Sequence, residues 1–154
     1  MIEETTILLE GAELLFRNFS GIEQKYNREG DRNFCVIVPP ELVEGLASDG
    51  WNVKTLTPRD EGDSPRHYLK VNVKFDGARP PKVVLITGKG RTDLTEDLID
   101  LLDYAEIAMV DLIVRPYTWT VKGETGISGY LKTMFVTILE DALELKYAQD
   151  SEKA

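Results

Sequence analysis

Hydrophobic and polar positions alternate along much of the chain with the period of two that is typical of β-strands. In residues 67–75 the odd positions are mostly apolar and the even positions are polar or aromatic. Five further apolar runs are rich in β-formers, and they cover residues 12–19, 32–38, 82–87, 108–121 and 127–139. The pattern therefore predicts six strands, of which the last two form a long hairpin.

Two segments have the end signals of helices. Residues 40–50 have a proline near their start and a glycine after their end. Residues 92–106 offer Asp93 as an N-cap with Glu96 three residues later. Their apolar side chains form one stripe: Leu94, Leu98, Leu101, Leu102 and Ala105. Together, these elements predict a mainly β protein, namely an OB-fold-like closed β-barrel of five to six strands with two short helices.

The length and composition are those of one ordinary domain. The chain has 154 residues, of which 42% are hydrophobic and 29% are charged. We expect a single domain over residues 1–142 and a short acidic C-terminal tail over residues 143–154. No apolar run approaches the roughly 20 residues that cross a bilayer, and the acidic first residues lack the basic region of a secretory signal. We therefore expect a cytoplasmic protein.

Few side chains are available for catalysis or metal binding of the Cys/His type. Cys35 is the one cysteine and His67 the one histidine, which is too few for a Cys/His zinc site. The stretch GKGRT, residues 88–92, lacks the glycine spacing of phosphate-binding loops. We therefore expect no enzyme activity, no cofactor and no metal site.

The negative charge is unevenly distributed. The formal net charge is −9, and residues 93–111 alone carry seven acids and no base. Residues 14–92, in contrast, carry 13 bases and 10 acids. Because the acids are concentrated in a few segments, the remainder of the chain is mildly basic and is compatible with an anionic ligand.

The turn of the predicted hairpin lies in the stretch KGET, residues 122–125. A type II′ turn prefers glycine at its first central position, so we place the turn at Gly123 and Glu124. Lys122 then lies opposite Thr125. This turn sets the register of the whole hairpin, because each further pair follows from it.

That register aligns Tyr117 with Tyr130 and Arg115 with Lys132, with Trp119 on the same face. The other face carries a more apolar set, which we predict to face the core: Val114, Pro116, Thr118, Ile127, Leu131 and Phe135. Like charges directly across a ladder are destabilising, unless a phosphate lies between them. Aromatic side chains with basic neighbours stack the bases of single strands at about 1–3 kcal/mol per base. The alternative is a half-buried strand surface with amphipathic side chains.

Two loops repeat the combination of basic and aromatic residues. The connection after the first strand and its flanks contribute Arg17, Phe19, Lys25, Tyr26, Arg28 and Arg32. In an OB-fold this loop borders the oligonucleotide groove. Lys89 and Arg91 add two cations at the GKGRT turn. Either segment could equally be an ordinary solvated loop, and we interpret the row of Tyr68, Lys70 and Lys74 as a solvated face.

Several segments together resemble the single-stranded DNA-binding proteins of tailed bacteriophages. These are FRNFSG, KYNREGDRNFCVIV, GWNVK, YLKVNVKF, PPKVVLITGKGRTDLTED, LLDYAEI, DLIVRPYTW and GISGYLKTMFVTI, within residues 11–147. The resemblance implies an OB-fold that coats single-stranded DNA during replication and recombination. It also implies an acidic tail that contacts replication partners and competes with DNA. The tail here is short and lacks the terminal aromatic residue of some relatives.

We therefore predict a non-enzymatic, sequence-independent single-stranded DNA-binding protein of phage type, acting in the cytoplasm of the host. Its expected partners are single-stranded DNA, possible replication or recombination proteins at the tail, a possible second copy of the chain, and no membrane. One alternative is a small β-barrel module that binds only protein. A second is a nuclease that uses the acidic segment, although carboxylates on the outer face of one helix are usually only solvated.

Overall fold

The computed structural model of the chain describes residues 6–25, 27–58 and 60–139. The first half contains β1 (Ile7–Leu9), β2 (Leu14–Asn18), β3 (Arg32–Val38), α1 (Pro40–Asp49), β4 (Lys54–Leu56) and β5 (Arg66–Val73). The second half contains β6 (Lys82–Thr87), β7 (Gly90–Leu94), a 3-10 helix (Ile99–Asp103), β8 (Ile107–Val121) and β9 (Glu124–Ile138). The fold is therefore mainly β, as the alternation predicts.

All nine strands belong to one sheet, and β9 lies at its branching point. The main order is β1-β8-β9-β5-β3-β2. The first half of β9 pairs in parallel with β5, and its second half pairs in parallel with β6. The remaining strands extend the sheet, because β4 pairs with β5 and β7 pairs with β6. This branching places the first half of β9, together with the part of β8 that pairs with it, next to β5.

The core lies on one face of this sheet. It is made of aliphatic side chains from most of the strands and the 3-10 helix, together with a few larger side chains: Phe19, Phe34, Trp51 and Met134. In β5 the buried residues are Leu69, Val71 and Val73, as the period of two predicts. The side chains between them point to the opposite face, which we call the outer face.

The predicted closed barrel is wrong. β1 and β2 are the two ends of the main strand order, and no pairing joins them within the described residues. The two strands follow each other in the chain, but Gly11 adopts a φ of +58° between them and turns the backbone. As a result β1 pairs with β8, whereas β2 pairs with β3.

The prediction of two helices is confirmed for one of them. α1 begins at Pro40 and ends at Asp49, with Gly50 in the left-handed conformation at its C-cap. The predicted helix over residues 92–106 is wrong. Its start is strand β7, which pairs with β6 through a tight hairpin, and its middle is only a 3-10 helix. Pairing with β6 satisfies the hydrogen-bonding groups of the β7 backbone and buries Leu94. The hairpin therefore forms in place of the helix that the capping residues predict.

The turn of the β8–β9 hairpin differs from the predicted one by one position. Lys122 and Gly123 are its central residues, with φ of 50° and 83°, which is the type I′ pattern rather than type II′. Val121 therefore pairs with Glu124, and Arg115 pairs with Tyr130. The register shifts by two residues, and a shift of two leaves every side chain on its predicted face near the turn.

A bulge changes the faces farther from the turn. The register shifts between Ile113 and Val114, so Lys132 has no direct partner in β8. Beyond it Met134 and Val136 are buried, while Phe135 is only partly buried and lies beside Asp111. The prediction that Phe135 faces the core is therefore wrong, because the extra residue reverses the alternation.

Candidate nucleic-acid interface

The outer face carries two neighbouring rows of polar and aromatic side chains. One row crosses four strands, because Asn33 pairs with Asn72, Asn72 with Tyr130, and Tyr130 with Arg115. The adjacent row contains the pairs Cys35–Lys70 and Tyr117–Ser128. Because the outward residues of β8 and β9 share this face with those of β5, the hairpin aromatics and the lysines of β5 belong to one surface.

Three rings of the hairpin form the aromatic part of this surface. Tyr117 and Tyr130 contact each other edge to face, with centroids 5.8 Å apart. Tyr117 is 55% exposed, whereas Trp119 and Tyr130 are half-buried. Trp119 covers Gly126, since a Cβ on that glycine would lie 2.4 Å from the indole ring. The rings are therefore held in place by cross-strand packing and remain partly accessible.

A small cationic cleft borders the rings. Its volume is about 310 Å³, and its lining comes from three segments: Arg79, Pro80, Arg115, Lys132 and Thr133. The guanidinium of Arg115 lies 5.4 Å from the centre of the Tyr130 ring. Its buried Nε has no hydrogen-bond partner within the described residues. Arg115 and Lys132 are not paired across the ladder as predicted, but they line the same cleft.

A second groove lies on the other side of the rings. Trp51 and Trp119 form part of its wall, together with Lys54, Lys70 and Asn72. Burial raises the pKa of the Cys35 thiol, and the nearby positive charges of Lys54 and Lys70 partly oppose this shift. The two lysines therefore lie close enough to Cys35 to act on it electrostatically. Lys70 is exposed, as its interpretation as part of a solvated face predicts, and it also borders a groove lined by the two tryptophans.

A third groove is of mixed charge. It measures about 430 Å³ and is lined partly by Arg28, Arg32, Lys74 and Tyr130. Acids lie among these cations, since Arg28 pairs with Asp31 at 3.5 Å and Arg32 with Glu96 at 3.8 Å. Its neutralised lining makes it a weaker anion site than the cationic cleft.

Two of the predicted binding residues make contacts within the fold. Phe19 is 0% exposed and stacks on Phe34 with centroids 5.0 Å apart, so its ring is not accessible to a base. Arg17 donates from one guanidinium nitrogen to the carbonyl oxygens of Leu102 and Ala105, at 2.9 and 2.8 Å. These contacts attach β2 to the end of the 3-10 helix.

Four other predicted residues are exposed cations outside the two rows. Lys25 and Arg28 are exposed in the loop before β3, while Arg91 is exposed on β7 and Lys89 at the turn before it. Tyr26 lies outside the described residues. The prediction omitted Lys54, Asn72 and Arg79. The alternation in β5 indicates the outward direction of Asn72, but only tertiary structure brings β4 and the loop before β6 beside the hairpin.

The described residues contain neither a cluster of metal-binding side chains nor a helix that could span a membrane. Within them no group of three or more His, Cys, Asp or Glu side chains could hold a metal ion. None of the helices in residues 6–25, 27–58 and 60–139 is long and apolar enough to span a membrane.

Comparison with known proteins identifies the family. The family model of the phage ssDNA-binding domain matches residues 1–153. The chain belongs to this family. The resemblance predicted from the sequence is therefore confirmed. No curated protein sequence matches the chain.

Solved structures of the same kind of protein share the fold. The single-stranded DNA-binding protein from bacteriophage Enc34 is 12% identical, with a TM-score of 0.56 over 88% of this chain and 82% of that one. The same phage protein in complex with ssDNA is 13% identical, with a TM-score of 0.55 over 88% of each chain. At this identity the similarity shows a shared mainly β fold. It does not identify binding residues in this chain.

Proposed function

We propose that the protein is a sequence-independent, non-catalytic single-stranded DNA-binding protein that acts in phage DNA replication or recombination. The observation that carries the proposal is the junction of a cationic cleft with a ring cluster on one face, made by the contact of Arg115 with Tyr130. Membership of the phage ssDNA-binding family supports it. The bacteriophage Enc34 protein has been solved with ssDNA bound.

The phosphates and the bases would occupy different parts of this face. A phosphate in the cleft would be held by Arg79, Arg115 and Lys132, and a guanidinium can make two parallel hydrogen bonds to it. The neighbouring bases would stack on Tyr117 and Trp119, because every base has a face that an aromatic ring accepts. This arrangement requires no particular base, which accounts for binding without sequence preference.

Lys54 and Lys70 would continue the cationic path on the other side of the rings. Five basic side chains, at a salt slope of about −0.7 per neutralised phosphate on single strands, correspond to a slope of about −3.5. The acidic segments elsewhere would limit attraction to duplex DNA, whose bases are not available for stacking. We further propose that the protein acts in the host cell during infection, where the tail contacts replication or recombination proteins and a second copy of the chain binds beside the first.

The test is a tryptophan fluorescence titration with oligo-dT and with a duplex of equal length, each at two salt concentrations. Trp51 and Trp119 both line the second groove, so bound bases are expected to quench them. We expect tighter binding to the single strand and an affinity that falls with salt. Equal affinity for both forms, or no binding to either, would contradict the proposal and favour a module that binds only protein.

A variant pair locates the site. Arg115→Met removes a cation from the cleft, and we expect affinity to fall together with the salt slope. Arg66→Met removes the same charge from β5, where Arg66 is engaged by Glu13, and we expect a much smaller loss. If the two variants lose affinity equally, the cleft is not the phosphate site.

A further inference from the structure

Phe16 is an exposed aromatic residue in a backbone conformation that aromatic residues avoid. It lies in β2 at the bulge between Leu15 and Asn18. Its φ is +49° and its side chain is 63% exposed. Non-glycine residues at positive φ are uncommon, and for bulky side chains they mark a turn or a site of local strain. The fold therefore exposes a large apolar side chain to solvent, and the backbone of this residue adopts an unfavourable left-handed conformation.

The bulge decides where this ring points. Leu14 packs against the core, so regular alternation would direct Phe16 inward as well. The extra residue instead turns Phe16 outward. There its ring meets Tyr68 edge to face, with centroids 5.9 Å apart. Tyr68 is partly buried and alternates in β5 with the buried Leu69, so the pair lies on the outer face.

This ring pair is continuous with the proposed DNA path. Lys54 pairs directly with Tyr68, and Lys70 follows two residues later on the same face of β5. Both lysines border the groove that contains Trp119. From the groove the surface continues through the hairpin rings to the cationic cleft. Across the outer face, the order of features is therefore the ring pair, the two lysines, the ring cluster and the cationic cleft.

We propose that Phe16 and Tyr68 form a second base-stacking platform, which engages the same single strand beyond the hairpin. This inference rests on the proposed function. From β8 through β9, β5 and β3 to β2 there are four strand spacings, or about 19 Å at about 4.8 Å each. An oligonucleotide of about three nucleotides bound at the cleft would not span this distance, whereas one longer than the usual site size of about 4–16 nucleotides would. The affinity contributed by Phe16 should therefore depend on strand length.

The test compares the wild type with Phe16→Asn on oligo-dT of about 3 and about 18 nucleotides, lengths below and above the usual site sizes. Asparagine accepts positive φ more readily than phenylalanine, so this variant removes the ring and keeps the backbone. We expect unchanged affinity for the short strand and a loss of about 5- to 150-fold for the long one. The thermal midpoint should stay the same or rise.

Tyr104→Ala is the matched control. Tyr104 is 78% exposed and follows the 3-10 helix, outside the two rows of the outer face, so its removal should leave both affinities unchanged. An equal loss on both strands, no loss on either, or a lower midpoint for Phe16→Asn would overturn the inference. A change of oligomeric state at unchanged affinity would also overturn it, because the pair would then contact protein. Wild-type protein that binds neither strand would instead contradict the proposed function itself.

Discussion

Two short segments with the same spacing of a basic and an aromatic residue have opposite environments in this molecule. Arg17 and Phe19 stand two residues apart, as do Arg115 and Tyr117. In the first segment the ring is fully buried and the guanidinium holds backbone carbonyl groups. In the second the ring is more than half exposed, and the guanidinium lies against Tyr130 at the border of a cleft.

The difference comes from one extra residue in β2. The register shift between Leu15 and Asn18 places Asn18 opposite Asn33. The next residue, Phe19, therefore points into the core, while Phe16 points out of it. β8 keeps its alternation over its last eight residues, so Arg115 and Tyr117 remain on the outer face. An arginine near an aromatic residue is consequently a weak signal for binding until the position of any bulge is known.

The largest expected effect is the loss of stability on truncation of Phe19, the buried ring of the two segments. Phe19→Ala should lower the free energy of unfolding by about 3–5 kcal/mol, because it leaves a cavity beside Phe34. Tyr117→Ala should leave that free energy nearly unchanged. Urea denaturation of both variants measures the contrast. Equal destabilisation would mean that the two rings are buried alike.

Arg17→Met tests whether Arg17, unlike Arg115, contributes to stability. It removes the donor to the carbonyl oxygens of Leu102 and Ala105, and we expect a loss of about 1–3 kcal/mol in the free energy of unfolding. Affinity for oligo-dT should be retained at temperatures where the variant is folded. A strong loss of affinity in the folded variant would return Arg17 to the binding site.

The exposed rings are tested through binding. Tyr117→Ala and Trp119→Ala should each weaken oligo-dT binding by about 1–3 kcal/mol, with little change in thermal midpoint. Leu131→Ala is the contrasting variant, because Leu131 is buried on the opposite face of β9 and its truncation should cost about 2–5 kcal/mol of stability. If Trp119→Ala lowers the midpoint as much as Leu131→Ala, the indole is structural.

The hairpin turn offers a smaller effect of the opposite sign. Lys122 occupies a left-handed position of a type I′ turn, which prefers asparagine before glycine. Lys122→Asn should therefore raise the free energy of unfolding by about 1 kcal/mol. Thermal melting of this variant distinguishes the two turns, since a type II′ turn at Gly123 and Glu124 would predict no gain.

The smallest expected effect concerns the tail, residues 143–154, which lies outside the described residues. It carries three acids and two bases, so its removal changes the net charge by only one. We expect the truncated chain to fold and to bind single-stranded DNA as well as the full chain or slightly better. A large loss of affinity on titration would place the tail within the site.

Much of the strand pattern followed from the sequence because alternation is a local property. β3 and β6 match their predicted bounds, and β5, β8 and β9 match closely. The hairpin face was predicted despite the wrong turn, because the error of two residues preserved the period. The error arose because Gly123 suits both turn types. Cross-strand packing favours the observed register, in which the Trp119 indole covers Gly126.

The sequence by itself determined the mainly β class, the first helix, the family, and the shared face of Arg115, Tyr117, Trp119 and Tyr130. These depend on periodicity, end signals and motifs that neighbouring residues carry. The tertiary structure alone decided the open sheet, the bulges beside Phe16 and Lys132, and the convergence of Arg79 with Arg115. Bulges and convergence depend on which distant strands pair, and an inserted residue reverses the face of every side chain that follows it.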